Sequence, residues 1–244
     1  MATHTGFGPK NYLAEAVTMT LFMVALLGLV VIVFHPGWPV AIWLPALRPR
    51  LFLLGLLLGL AVYAWSLTRF GKLSGPQVDP VFTLALWLLG KLTWREAVGF
   101  SLAQFAGAVA GVGLSRLLFG SIVAAFHYGA LGANPEIGFP LVFAAEGAAT
   151  FFFVAVLMYF VCTPRLQKYT MQMFIVTLPC LVCLDGPVSG SGVNPARWFG
   201  SALFAGEWTN WTVWAIAPIL GSLLAVVLVR AATERAPTGA AVHS

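Results

Sequence analysis

Two short boxes hold most of the polar chemistry in this chain. One reads Ser189-Gly190-Ser191-Gly192-Val193-Asn194-Pro195-Ala196-Arg197, and the other Ser74-Gly75-Pro76-Gln77-Val78-Asp79-Pro80-Val81. An Asn or Asp followed by Pro is a helix start: the side-chain oxygen accepts from the first free N–H groups, and proline fits the first helical position. The asparagine amide keeps its donors, and the arginine adds a forked set of N–H groups with a fixed charge. This chemistry suits hydrogen bonding to passing neutral molecules rather than bond making. His4, His35, His127 and His243 are scattered, so no metal site is expected. Cys162, Cys180 and Cys183 lie in apolar stretches in odd number and read as packing residues. Asp79 and Asp185 leave open a remote alternative, an intramembrane aspartyl enzyme, although no Gly-x-Gly-Asp-like box accompanies them. No cofactor is implied.

The elements that must carry these boxes are set by composition. Of 244 residues, 60% are hydrophobic and 9% charged, with a mean hydropathy of +0.91. Soluble domains carry about 25% charged residues, so the chain is an integral membrane protein with the lipid bilayer as its solvent. A hydrocarbon core of about 30 Å needs roughly 20 apolar residues per helix. Six spans are expected, at residues 12–34, 51–67, 97–119, 141–162, 171–184 and 213–229. The first apolar run is long and reads as a retained span, not a cleaved signal. The net charge of +5 is explained by basic loops and calls for no nucleic acid.

Two further apolar segments, 79–90 and 194–206, are too short to cross. Each opens on a capping residue and proline and closes at glycine, which predicts half-helices of about three turns. Ser74-Gly75 precedes Asp79-Pro80 by the spacing at which Ser189-Gly190 precedes Asn194-Pro195. Ala14-Glu15 opens the first span as Ala145-Glu146 opens the fourth, and small residues recur in spans three (Gly107, Gly111) and six (Gly221, Ala225). With three spans per half, the copies at about 10–120 and 140–230 must be inverted, within a single domain covering 1–244. Lys10, Arg69, Lys72, Lys91, Arg95, Arg165, Lys168, Arg230 and Arg235 fall on one side, against Arg48, Arg50 and Arg116 on the other. The positive-inside rule then puts both termini in the cytoplasm of a multi-pass protein of the cell (inner or plasma) membrane.

On these residues the chain resembles the aquaporin, or major intrinsic protein, family over nearly its whole length. The second box matches the family's Asn-Pro-Ala motif with its selectivity arginine. The first matches in frame but has Asp79 for Asn and Val81 for Ala. The resemblance implies an all-α membrane fold: a right-handed bundle of six transmembrane helices plus two half-helices. It also implies a passive channel for water and small uncharged solutes, with no enzymatic activity, assembled as a homotetramer with one pore per protomer. It puts Asp79, Pro80, Val81, Asn194, Pro195 and Ala196 at the pore midplane and makes Glu15 and Glu146 structural acids bracing the half-helices. An outer selectivity filter of Gly59, Val182, Ser191 and Arg197 follows by counting from the boxes, with Leu58 in place of Gly59 if one residue is gapped. Narrow water-only members offer an aromatic from span two and a histidine from span five, and this ring offers neither. The implied filter is wide enough for glycerol, urea or neutral metalloid acids. Trp198 argues the other way, since glycerol-conducting members carry Asp there.

Facing half-helix N-termini each present about half a positive charge and raise the energy of a cation between them. Selectivity in aquaporin-type pores generally rests on diameter, lining donors, and an arginine or such dipoles. Asp79 disturbs this scheme, because an ionised carboxylate only accepts hydrogen bonds. A proton- or cation-leaky channel on the same fold is therefore the alternative. Asp185, before Gly186-Pro187, reads as a turn or cap residue at the outer vestibule.

Overall fold

A computed structural model describes residues 6–75 and 77–234; His4, His243, Arg235 and Pro76 lie outside the described residues. Every regular element among the described residues is helical. Six helices are long and apolar enough to cross a membrane: Pro9–Phe34, Leu47–Ser66, Trp94–Phe119, Phe139–Cys162, Gln167–Ser189 and Trp211–Glu234. We call these spans one to six. In hydrocarbon an unpaired backbone group costs several kcal/mol, so apolar segments of this length close their hydrogen bonds within one helix.

The ends are set by local chemistry. Span three starts at a capping box: Thr93 N donates to Glu96 Oε2 at 2.7 Å and Glu96 N to Thr93 Oγ1 at 3.3 Å. Span five departs most from the sequence expectation. It runs on to Ser189 through Pro179 and Pro187. Asp185 is therefore a buried helical residue, not the turn or cap residue expected from the Gly-Pro pair that follows it. Proline removes one intrahelical bond, and near a helix end that loss opens a turn without stopping the helix. The carbonyl of Pro187 accepts from Asn134 Nδ2 at 3.1 Å, and that of Val188 from Asn134 N at 3.0 Å, so the long loop between spans three and four caps this end. Span six is interrupted at Ile216, between Trp211–Ala215 and Ala217–Glu234.

The spans pack in matched pairs: one along three, four along six, and two against five. Small residues permit the first two contacts. A side chain at Gly107 would strike the Ala16 carbonyl of span one, and one at Gly221 the Gly147 carbonyl of span four. Without water to drive helices together, such close backbone packing holds membrane bundles. Inside the bundle lie the two half-helices, Pro80–Leu88 and Pro195–Ala205. The first is held by spans three and six, the second by span three. Ser222 of span six donates to the Val81 carbonyl at 2.8 Å, and Arg230 donates to the Leu88 carbonyl at the C-terminal end of the first half-helix.

Candidate pore and selectivity site

Each half-helix starts where the sequence puts a cap. Asp79 Oδ1 accepts from Val81 N at 3.0 Å. Asn194 Oδ1 accepts from Ala196 N and Arg197 N, both at 3.0 Å. The two starts meet: Asn194 Nδ2 donates to the Val78 carbonyl, one residue before Asp79, at 2.6 Å. One amide hydrogen thus clasps the opposite half, and the second remains for the pore.

The residue before each cap has an uncommon backbone. Val78 (φ 47°) and Val193 (φ 43°) both lie in the left-handed region, which β-branched residues rarely enter. Each is held there by a buried carboxylate. Glu15 Oε1 accepts from Val78 N at 2.6 Å and from Gln104 Nε2 at 2.8 Å. Glu146 Oε1 accepts from Val193 N, and its Oε2 accepts from Gly192 N at 3.2 Å and Ser189 Oγ at 2.5 Å. Both glutamates are fully buried. They satisfy N–H groups that the strained turns leave without helical partners, and so fix both half-helix entries. Asp185 joins the second set through Ser189 Oγ, at 2.7 Å. Gly190, at φ 82°, supplies the left-handed turn that ends span five.

Around this junction lies a cavity of about 80 Å³, room for a few water molecules. Asp79, Asn194, Arg197, Ser191 and Val182 all line it. Gly59 does not: a Cβ there would lie 3.4 Å from Ile175 Cα, so this residue faces span five. Span two reaches the cavity through Leu51, Leu54, Gly55 and Leu58, the last being the other position that counting from the boxes allowed. The lining is therefore mixed, polar from the second box and aliphatic from span two. Among the described residues, Arg197 Nη1 and Ser191 Oγ are enclosed and without a hydrogen-bond partner. Pro80, Val81, Pro195 and Ala196 form the first turns of the half-helices and are not among the residues lining this cavity. Sequence reasoning passed over Phe22, Phe82, Phe153 and Phe174, which also line it. Only their position relative to the boxes distinguishes them from lipid-facing aromatics.

A second cavity, of about 370 Å³, opens beyond the junction, lined by Lys72, Gly75, Gln77, Met158 and Met171 among others. No group of three metal-ligating side chains occurs among the described residues. Asp79 caps its half-helix and Asp185 bonds Ser189, so each aspartate is engaged in a separate structural role.

The architecture has known counterparts. Residues 2–229 match the family described as Major intrinsic protein. The chain is 33% identical to aquaporin AqpM of Methanothermobacter marburgensis, over 71% of this chain and 74% of that protein. It is 30% identical to the glycerol uptake facilitator protein-like 6 of Lactiplantibacillus plantarum, over 91% and 97%. Among solved structures, the aquaglyceroporin from Plasmodium falciparum superposes with a TM-score of 0.70 at 19% identity, covering 90% of this chain and 92% of that one. The chain belongs to the major intrinsic protein family, whose members are membrane channels for water and small solutes.

Proposed function

We propose that this protein conducts water together with small uncharged solutes, of which glycerol, urea and neutral metalloid acids are the candidates. The observation that carries this reading is the mixed lining of the cavity at Arg197, where Arg197, Ser191, Asp79 and Asn194 share the wall with Leu51, Leu54, Leu58 and Val182. A solute that carries both hydroxyls and carbon suits such a lining. A cation loses hydration there and meets a fixed guanidinium and two half-helix N-termini. The filter in this reading is Arg197, Ser191 and Val182 with Leu58 in the place first given to Gly59. Asp79 and Asn194 form the midplane, with Pro80, Val81, Pro195 and Ala196 as their first helical turns. The protein works as a channel and not as an enzyme.

The finer organisation belongs to the same proposal. The matched pairing of spans supports one domain of two inverted repeats, with Glu15 and Glu146 as equivalent braces. The distribution of basic residues supports cytoplasmic termini in the plasma (inner) membrane. Family membership supports a homotetramer with a pore in each protomer. Stopped-flow swelling of proteoliposomes in glycerol or urea tests the solute range. Uptake no faster than in empty vesicles would end the case for any solute beyond water.

A further inference from the structure

The cavity at the half-helix junction and the larger one beyond it adjoin. The residues common to both are Phe82, on the first half-helix, and Phe174, on span five. Phe153 of span four sits between these rings, with its centroid 5.2 Å from Phe82 and 5.5 Å from Phe174. All three side chains are buried, at 6%, 3% and 8% exposure for Phe82, Phe153 and Phe174. Aromatic pairs at these separations hold each other in edge-on or tilted arrangements. The three rings come from three different elements, so no single helix movement clears them.

We propose that Phe82, Phe153 and Phe174 form an aromatic septum that selects solutes by size, so that a second selection step lies across the half-helix junction from the Arg197 filter. This inference rests on the channel reading and deepens it. At the Arg197 ring the lining combines leucines and valine with Ser191 and Arg197, which offer hydrogen bonds. At the septum a solute has an aromatic wall that neither donates nor accepts. Asp79 and Asn194 line the same cavity just outside. A water molecule keeps a hydrogen bond to them while it slips past a ring edge. A three-carbon polyol must displace a ring and give up hydroxyl contacts at the same moment. Permeability therefore falls with cross-section, in the order water, urea, glycerol.

The test is light-scattering flux in proteoliposomes of the full chain, measured for water, urea and glycerol. The variants are Phe174→Ala and, because a buried Phe→Ala change can fail to fold, the milder Phe174→Leu and Phe153→Leu. Phe152→Leu, at an exposed phenylalanine of the same span as Phe153, serves as the comparison. Each variant is first checked for a monodisperse detergent peak. The glycerol-to-water permeability ratio rises about tenfold in Phe174→Ala, one decade being ~1.4 kcal/mol of barrier, and rises in the same direction in the leucine variants. Phe152→Leu leaves it near the wild-type value. Folded septum variants with the wild-type ratio, or an equal rise in Phe152→Leu, overturn the septum. Wild-type vesicles with no water flux above empty ones would instead count against the channel reading itself.

Discussion

Gly55 and Gly59 are one helical turn apart on span two, yet their replacement by alanine has opposite consequences. At Gly55 a Cβ would lie 2.6 Å from Pro179 Cα, 3.1 Å from Pro179 N and 3.2 Å from the Leu178 carbonyl oxygen. All three atoms are backbone of span five and cannot rotate away. The closest is roughly 1 Å short of the ~3.5–4.0 Å at which carbon atoms rest, so spans two and five must separate by about that amount. Overpacking of this kind costs ~1–3 kcal/mol. In a chain of this size each kcal/mol lowers the melting temperature by about 2–4 °C, for a fall of ~2–12 °C in Gly55→Ala. At Gly59 the added carbon meets Ile175 Cα at 3.4 Å, an ordinary contact. Alanine there gains up to ~1 kcal/mol of helix propensity, so Gly59→Ala melts at or slightly above the wild-type temperature. Thermal unfolding in detergent, followed by tryptophan fluorescence, reads both. Equal losses in the two variants, or a loss confined to Gly59→Ala, would refute the packing argument.

Three further outcomes are expected. Arg197→Val removes a fixed charge whose influence at ~4 Å and an effective dielectric near 20 is ~4 kcal/mol; sodium or proton flux into vesicles rises at least about tenfold, and unchanged flux would leave the half-helix ends as the whole cation barrier. Glu146→Ala and Glu15→Ala both destabilise, because each glutamate takes hydrogen bonds from buried donors at its half-helix entry, among them Val193 N, Gly192 N and Ser189 for Glu146 and Val78 N and Gln104 for Glu15. Each buried donor left unsatisfied costs ~1–3 kcal/mol, and an unchanged melting temperature in either variant would contradict this. Asp79→Asn keeps its cap, since the two residues cap about equally well. Its melting temperature and proton flux stay at the wild-type level, and a drop in flux would revive the leaky-channel alternative.

The half-helices were legible because their ends are written in residues with special backbone chemistry: a cap and proline at the start, glycine at the close. Span number was legible because hydrocarbon demands unbroken apolar runs. Which side of a span faces the pore was not. A leucine facing lipid and a leucine facing the cavity, such as Leu60 and Leu58, look alike to hydropathy, and only the packed structure separates them. Counting from the boxes gave Gly59, a residue whose lack of side chain serves the contact with Ile175. The Gly-Pro pair after Asp185 reads as a turn or cap because it so often ends a helix. Here Asn134, in the loop between spans three and four, takes up carbonyls at that end, and no local pattern announces a partner so distant in the chain. The phenylalanines between the cavities were hidden in the same way, as three of the 19 in the chain.

The bond from the Asn194 amide to the Val78 carbonyl ties the start of one half-helix to the start of the other, and both residues are buried. Each cap is thereby positioned by the opposite box as well as by its own helix, so a substitution that shifts one box is felt at the other, 116 residues away in the chain.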